Sequence, residues 1–181
     1  MTNNKKYFLK DGGDKYHSRN KEKIINFKKE LLCKKIESSI KAIKQKKVNV
    51  LEIGCGDAQR LIYLKKKFPL VNFYGIDPSS DAIKKTKELN INLIKSTADK
   101  IPFKKEFFDI IVYGFCLYLV DDRDHRRSVV LGTRWRIGNT TRHEPFASAT
   151  VIIEGMGDAA NQGVLVGTLG VHGEQFANVD T

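Results

Sequence analysis

Apolar positions along the chain change period several times, and each change marks an element. Over residues 20–45, Ile24, Phe27, Leu31, Leu32, Ile36, Ile40 and Ile43 recur at helical spacing with lysines opposite. That is the stripe of a helix packed on a core, and Ser18 or Asn20 is placed to cap its start. Residues 48–53 form a short apolar run with strand character. Residues 58–67 return to helical spacing with Leu61, Ile62 and Leu64 inward, and Phe68-Pro69 ends them because a residue before proline avoids helix. Residues 71–76 read as a second strand. Asp77-Pro78-Ser79-Ser80 reads as a turn whose serines can cap a helix over 81–89. Asn90 suits a left-handed stop, and residues 91–96 and 108–114 read as strands three and four. Residues 1–18 are polar, contain Gly12-Gly13 and read as a loop. Strands alternating with helices through short connections predict an α/β fold. The expected form is a Rossmann-like, doubly wound, mostly parallel sheet with helices on both faces.

The centre of this pattern is Val48-Asn49-Val50-Leu51-Glu52-Ile53-Gly54-Cys55-Gly56-Asp57. A strand runs into a tight glycine turn and then a helix, the layout that binds nucleotide-like cofactors at the carboxyl edge of a parallel sheet. Gly54 and Gly56 can reach dihedrals closed to other residues and let backbone N–H groups approach a ligand. The helix behind them presents unpaired N–H groups and a positive dipole end. Asp77 follows the second strand, where an acid can accept from both hydroxyls of a ribose. Taken singly, the glycines fit any Rossmann-like turn, Asp57 fits a helix-start charge, and Asp99 fits a turn acid ahead of Pro102. Together the acids fall at successive strand ends, where ligands sit in such sheets.

Three pieces, in order and at matching spacing, resemble the class I S-adenosylmethionine (SAM)-dependent methyltransferases. They are Val50-Leu51-Glu52-Ile53-Gly54-Cys55-Gly56, then Tyr74-Gly75-Ile76-Asp77-Pro78-Ser79, then Thr97-Ala98-Asp99-Lys100-Ile101-Pro102-Phe103 ahead of Phe107-Phe108-Asp109-Ile110-Ile111-Val112. The resemblance covers about residues 1–124 and implies SAM as cofactor. It implies that Glu52 lies near the amino-acid end, with Gly54, Cys55 and Gly56 wrapping that end by backbone. Asp77 would take the ribose hydroxyls, and Ile76 and Pro78 would hold the adenine edge. Asp99 would accept from the adenine amino group beside the Ala98 backbone, and Gly114 would line the path of the methionine portion. The first 18 residues resemble a segment that covers the cofactor in small methyltransferases of bacterial surface-sugar clusters, with Tyr16 and Arg19 as candidates to face SAM. The implied acceptor is a small molecule, a surface-sugar intermediate being one candidate. A general base is not required, and none is assigned. His17 and His125 are weak candidates, and Tyr118 is either an acceptor-pocket or a core residue.

Composition adjusts this picture at two points. The chain of 181 residues carries a net charge of +11, which invites a nucleic-acid partner. Its lysines, however, are spread along residues 5–105 on polar faces without aromatic interleaving, so a solvated surface is the preferred reading. No apolar run approaches a membrane span and no secretion signal is seen. Cys33, Cys55 and Cys116 are scattered, lack metal-ligand spacing and suggest a reducing, cytoplasmic setting with no metal.

The second point is a seam near residue 124. Residues 1–124 hold 27 basic and 16 acidic groups, whereas residues 125–181 hold 5 of each and no lysine. The expected division is a methyltransferase portion, 1–124, and a compositionally distinct, β-rich tail, 125–181, with a foreign origin as one hypothesis. In the tail Val151-Ile152-Ile153 and Val164-Leu165-Val166 read as strands. Leu131-Gly132 and Ile137-Gly138, six apart, hint at a β-helix turn whose register then fails. If the tail adds nothing to the sheet, strand four becomes an edge with Ile110 to Val112 exposed. The chain is then a truncated, non-catalytic SAM-binding fold. A nicotinamide-dependent oxidoreductase is the lesser alternative, because Gly54-x-Gly56-x-x-Gln59 lacks the third glycine of that fingerprint.

Overall fold

The computed structural model describes residues 6–20, 26–44, 47–84, 90–98, 100–103, 107–114, 116, 149–154, 164–170 and 173–179. A π-helical turn, Phe8–Gly12, leads into α1, Gly13–Asn20. There follow α2 (Leu31–Ala42), β1 (Asn49–Ile53), α3 (Gln59–Lys67), β2 (Asn72–Asp77), α4 (Ser80–Lys84), β3 (Asn92–Lys95) and β4 (Ile110–Tyr113). The chain closes with β5 (Ala149–Glu154), β6 (Val164–Gly170) and β7 (Gly173–Val179). The strands form one sheet in the order β3-β2-β1-β4-β5-β6-β7. Pairing is parallel from β3 through β5, and the last two ladders are antiparallel. β1 lies between β2 and β4, so its carboxyl end opens where the chain reverses direction across the sheet. Ligands collect at such a switch point.

Side-chain alternation along β1 builds two cores. Val50 faces one side with Phe73, Ile110 and Val112, and Leu32, Ile36 and Ile40 of α2 and Leu61 and Leu64 of α3 cover it. Leu51 and Ile53 face the other side with Ile76, Ile111 and Tyr113, under Ile101 and Phe108. There Tyr74 meets Phe103, Phe107 and Phe108 edge-on, with ring centroids 5.2–5.5 Å apart. By the same alternation Glu52 shares the Val50 face and lies beneath α3.

The α/β class and the first four strands match the sequence reading to within two residues at each end. Helix 58–67 begins one residue late, and Asn90 takes a φ of 54°, the left-handed stop its side chain tolerates. Two expectations are corrected. The loop over residues 1–18 is helical in its described part. The Gly12-Gly13 pair does not break it, because Gly13 fits against the chain around Pro78 and Ser79. A Cβ on Gly13 would sit 3.0 Å from the Ser79 nitrogen and 3.1 Å from the Pro78 carbonyl carbon. Asp14 completes the docking, its Oδ1 accepting from the Ser79 hydroxyl at 2.7 Å and the Asp81 N–H at 3.1 Å.

Of the helix expected over 20–45 the described residues show α2, and residues 26–30 form a turn; residues 21–25 and 45 lie outside the described residues. Ser18 and Asn20 belong to the end of α1, where Asn20 donates to the Tyr16 carbonyl at 2.8 Å. The capping serine before α4 is Ser79, whose Oγ accepts from the Ala82 N–H at 3.0 Å.

The strand expected at residues 151–153 is present as β5, and it bears on strand four. Strand four is not an edge: β5, from the tail, pairs with it in parallel, Val112 opposite Ile152. Ile152 is fully buried among α2, α3 and β4 side chains. Burial of such a side chain stabilises by about 1.5–3 kcal/mol. β6 extends the Val164–Val166 expectation, and β7 was not anticipated. Residues 131–138, the second half of helix 81–89, and Asp99, Tyr118 and His125 lie outside the described residues. Among the described residues no helix is long and apolar enough to cross a membrane.

Candidate functional site

The turn after β1 is shaped by three left-handed residues: Gly54 (φ 76°), Gly56 (φ 54°) and Ala58 (φ 57°). Gly54 is also constrained by space, since a Cβ there would meet the Cys116 Cβ at 2.7 Å. The loop is tied to β2 through backbone, with Gly54 N–H and Cys55 N–H donating to the Ile76 carbonyl at 2.8 and 3.3 Å. Cys55 is buried against Gly75, where any Cβ would lie 2.6 Å from its Sγ.

Asp77 closes the other side of the switch point. Its Oδ2 accepts from the Gly56 N–H and its Oδ1 from the Ser79 N–H, both at 2.8 Å. The acid thus joins the glycine turn to the start of α4. Burial pushes its carboxyl above the usual range, opposed by the Ser79 and Gly56 N–H groups and by His17. Pro78 and Ala98 are half-buried beside this junction and in the aromatic-side core, respectively.

Glu52 stands one strand away and is 1% exposed. A carboxylate so placed needs a cation, and Arg60 of α3 provides it, Nη1 donating to Glu52 Oε1. The same guanidinium is gripped by Glu30, which accepts from Nε at 3.0 Å and Nη2 at 2.7 Å. Cys33 donates its thiol to Glu30 Oε2 at 2.9 Å. Burial raises the Glu52 carboxyl, and Arg60 only partly offsets it. Burial also acts on Glu30, but there the hydrogen bonds and charge of Arg60 prevail and its carboxyl is lowered. The contrast follows the bonding: Glu30 receives two N–H groups, whereas Glu52 Oε2 is buried with no partner among the described residues. Gly114, at the end of β4, abuts the pair; a Cβ on it would sit 3.0 Å from Arg60 Nη1 and 3.1 Å from Glu52 Oε1.

Of the residues expected from sequence, Glu52, Gly54, Cys55, Gly56, Asp77, Pro78 and Gly114 therefore cluster at the carboxyl ends of β1, β2 and β4. Asp99 lies outside the described residues. Tyr16 and Arg19 are both exposed on α1, and the inward residue of that helix is His17, buried, with Nε2 lacking a partner among the described residues. Arg60 and Glu30 were missed. One signal was available for Arg60: it lies one helical turn before Leu64, on the face turned to the sheet, in the helix that follows a strand whose one acid, Glu52, is buried.

Residues 50–131 match the family model of a methyltransferase domain. Over those residues the chain is similar to methyltransferase domains. Solved methyltransferases share its fold. Plantazolicin methyltransferase BpumL, in complex with a pentazolic desmethylPZN analog and SAH, superposes with a TM-score of 0.59 at 23% identity, covering 82% of this chain and 55% of that one. A SAM-dependent methyltransferase from Thermotoga maritima superposes with a TM-score of 0.50 at 16% identity, covering 81% and 60%. The chain spans little more than half the length of these structural relatives. No curated protein matches the chain by sequence.

Proposed function

We propose that this chain binds SAM and directs transfer of its methyl group to a small-molecule acceptor. The observation that carries the reading is the pairing of two buried acids around one glycine turn, Asp77 bonded to the Gly56 N–H and Glu52 beneath Gly114. The residues fit the cofactor's chemistry. Glu52 Oε2, buried and without a partner among the described residues, suits a cationic amino group. Asp77 keeps lone pairs beyond its two N–H bonds, which suits a ribose diol. Gly54, Cys55 and Gly56 supply backbone rather than side chain, which suits close approach of a chain-like ligand.

Bound SAM supplies a methyl carbon already activated by its sulfonium. The protein's work is then to hold donor and acceptor in line and to exclude water, and no general base is needed for an acceptor that is already nucleophilic. Support for a small acceptor comes from the desmethylPZN analog seen with BpumL. A surface-sugar intermediate rests only on the resemblance of the amino-terminal segment. Pairing of β5 with β4 removes the exposed edge on which the truncated-fold reading depended.

The test is a calorimetric titration with S-adenosylhomocysteine (SAH), with NADH as control. Micromolar binding of SAH alone supports the proposal. Binding of NADH alone points to the oxidoreductase reading. Binding of neither, by a folded sample, replaces the proposal with a non-catalytic fold.

A further inference from the structure

The cofactor reading gives no role to Arg60 or Glu30, yet both are ordered around the acid it uses. We infer that Arg60, clamped by Glu30, is a positioning residue that orients the Glu52 carboxylate and keeps it ionised for the cationic end of the cofactor's amino acid. The inference rests on the SAM reading above.

The geometry is directional. Glu30 occupies the residue before α2, with an extended backbone (φ −63°, ψ 126°). From there its two oxygens take Nε and Nη2 of Arg60 as a fork, at 3.0 and 2.7 Å. Only the remaining edge of the guanidinium, Nη1, is turned to Glu52. A lysine has one point of charge and could not serve both acids in fixed directions. Gly114 leaves bare backbone against the pair, so no side chain of β4 competes for the carboxylate.

Charge points the same way. Among the described residues two carboxylates share this guanidinium, so these three groups carry one negative charge more than they neutralise. The excess sits on Glu52, whose Oε2 is buried without a partner among the described residues. A single cationic group completes the balance. Without Arg60 the cheapest response of a carboxylate at this depth is to take up a proton, which would turn an acceptor for an ammonium into a neutral acid. The titratable and charged groups facing Glu52 are Arg60 from α3, Glu30 and Cys33 from α2 and its entry, Asp77 from β2, Cys55 from the glycine turn and Cys116 after β4. Burial raises all three thiols, so they stay neutral and do not replace the guanidinium.

The experiment is SAH titration of the full chain from pH 5.5 to 7.5, comparing wild type with Arg60→Met, Glu30→Gln and the double variant Arg60→Met/Glu52→Gln. Arg60→Met should bind at least tenfold more weakly than wild type at pH 5.5 and recover part of that loss by pH 7.5, as Glu52 ionises. Glu30→Gln should show a smaller loss with no such recovery, because it releases the Arg60 fork but removes a charge that raises the Glu52 carboxyl. The double variant should bind weakly at every pH, without the trend. A purely structural role would weaken binding by one factor across the range, and that outcome overturns the inference. If Arg60→Met fails to fold, Arg60→Gln decides by the same pH comparison, since it also removes the charge but keeps a polar side chain at the site. A wild type that does not bind SAH sinks the cofactor reading instead, which separates the two failures.

Discussion

Two buried acids frame the same glycine turn and are held in opposite ways. Asp77 is satisfied by backbone: two N–H groups from residues that the turn and the start of α4 must present in any case. Glu52 is held at one oxygen by Arg60 of α3, itself held by Glu30, and its other oxygen has no partner among the described residues. Both carboxyls are raised by burial. Backbone donors come with the fold and cannot be mutated away. A side-chain cation can be lost in one substitution, and its loss leaves two carboxylates facing each other. The Asp77 side should therefore tolerate change around it, and the Glu52 side should not.

The sharpest way to break the comparison is Arg60→Met. Removing one partner of a buried ion pair costs about 3–5 kcal/mol, so chemical denaturation should show a loss of that order at pH 7. A loss below about 1 kcal/mol would mean that the cluster is solvated and the contrast void.

Next is Asp77→Ala. It should weaken SAH binding by roughly 1.5–3 kcal/mol, as loss of hydrogen bonds to a charged group does, while the turn, still tied to the Ile76 carbonyl, stays folded. Unchanged affinity in calorimetry removes the ribose assignment.

A third test uses pH. A carboxyl raised in the folded state binds more protons folded than unfolded between its ordinary value and its raised one. Stability from Glu52 is therefore retained in acid and lost as pH rises from about 4.5, at up to about 1.4 kcal/mol per pH unit. Glu52→Gln should flatten this slope in a series of denaturant titrations and leave the ligand-free protein as stable as wild type, or more so, at pH 7. A steeper slope in the variant would reverse the assignment.

The smallest effect is expected at Ala58, fully buried and at φ 57°. Left-handed backbone costs a non-glycine about 1–2 kcal/mol. Ala58→Gly relieves that, but loses a buried methyl of about 0.8 kcal/mol and adds unfolded-chain entropy of about 0.5–1 kcal/mol. Thermal unfolding should move by less than about 1 kcal/mol in either direction, and a larger gain would show that the turn is strained beyond its dihedral.

The difference in legibility follows the same line. Gly54, Gly56 and Asp77 were readable because their roles are set within a few residues of chain: a strand end, a turn, a helix start. Asn90 was readable for the same reason. Gly12-Gly13 misled because local propensity favours a loop, while close packing against Pro78 and Ser79 favours helix. The seam at residue 124 is real in composition, yet composition does not report pairing, and β5 adds to β4 across it.

From the sequence alone followed the strand–turn–helix unit, the parallel sense of the first strands and the acids at their ends. These are consequences of periodicity, glycine dihedrals and caps, all of which act over a few residues. Only the tertiary structure decided what neutralises Glu52, where α1 docks and whether β4 has a neighbour. Those contacts join groups far apart in the chain, 30 residues for Arg60 and Glu30 and 65 for Ser79 and Asp14. They form because buried charges and open sheet edges must find partners wherever the fold brings them.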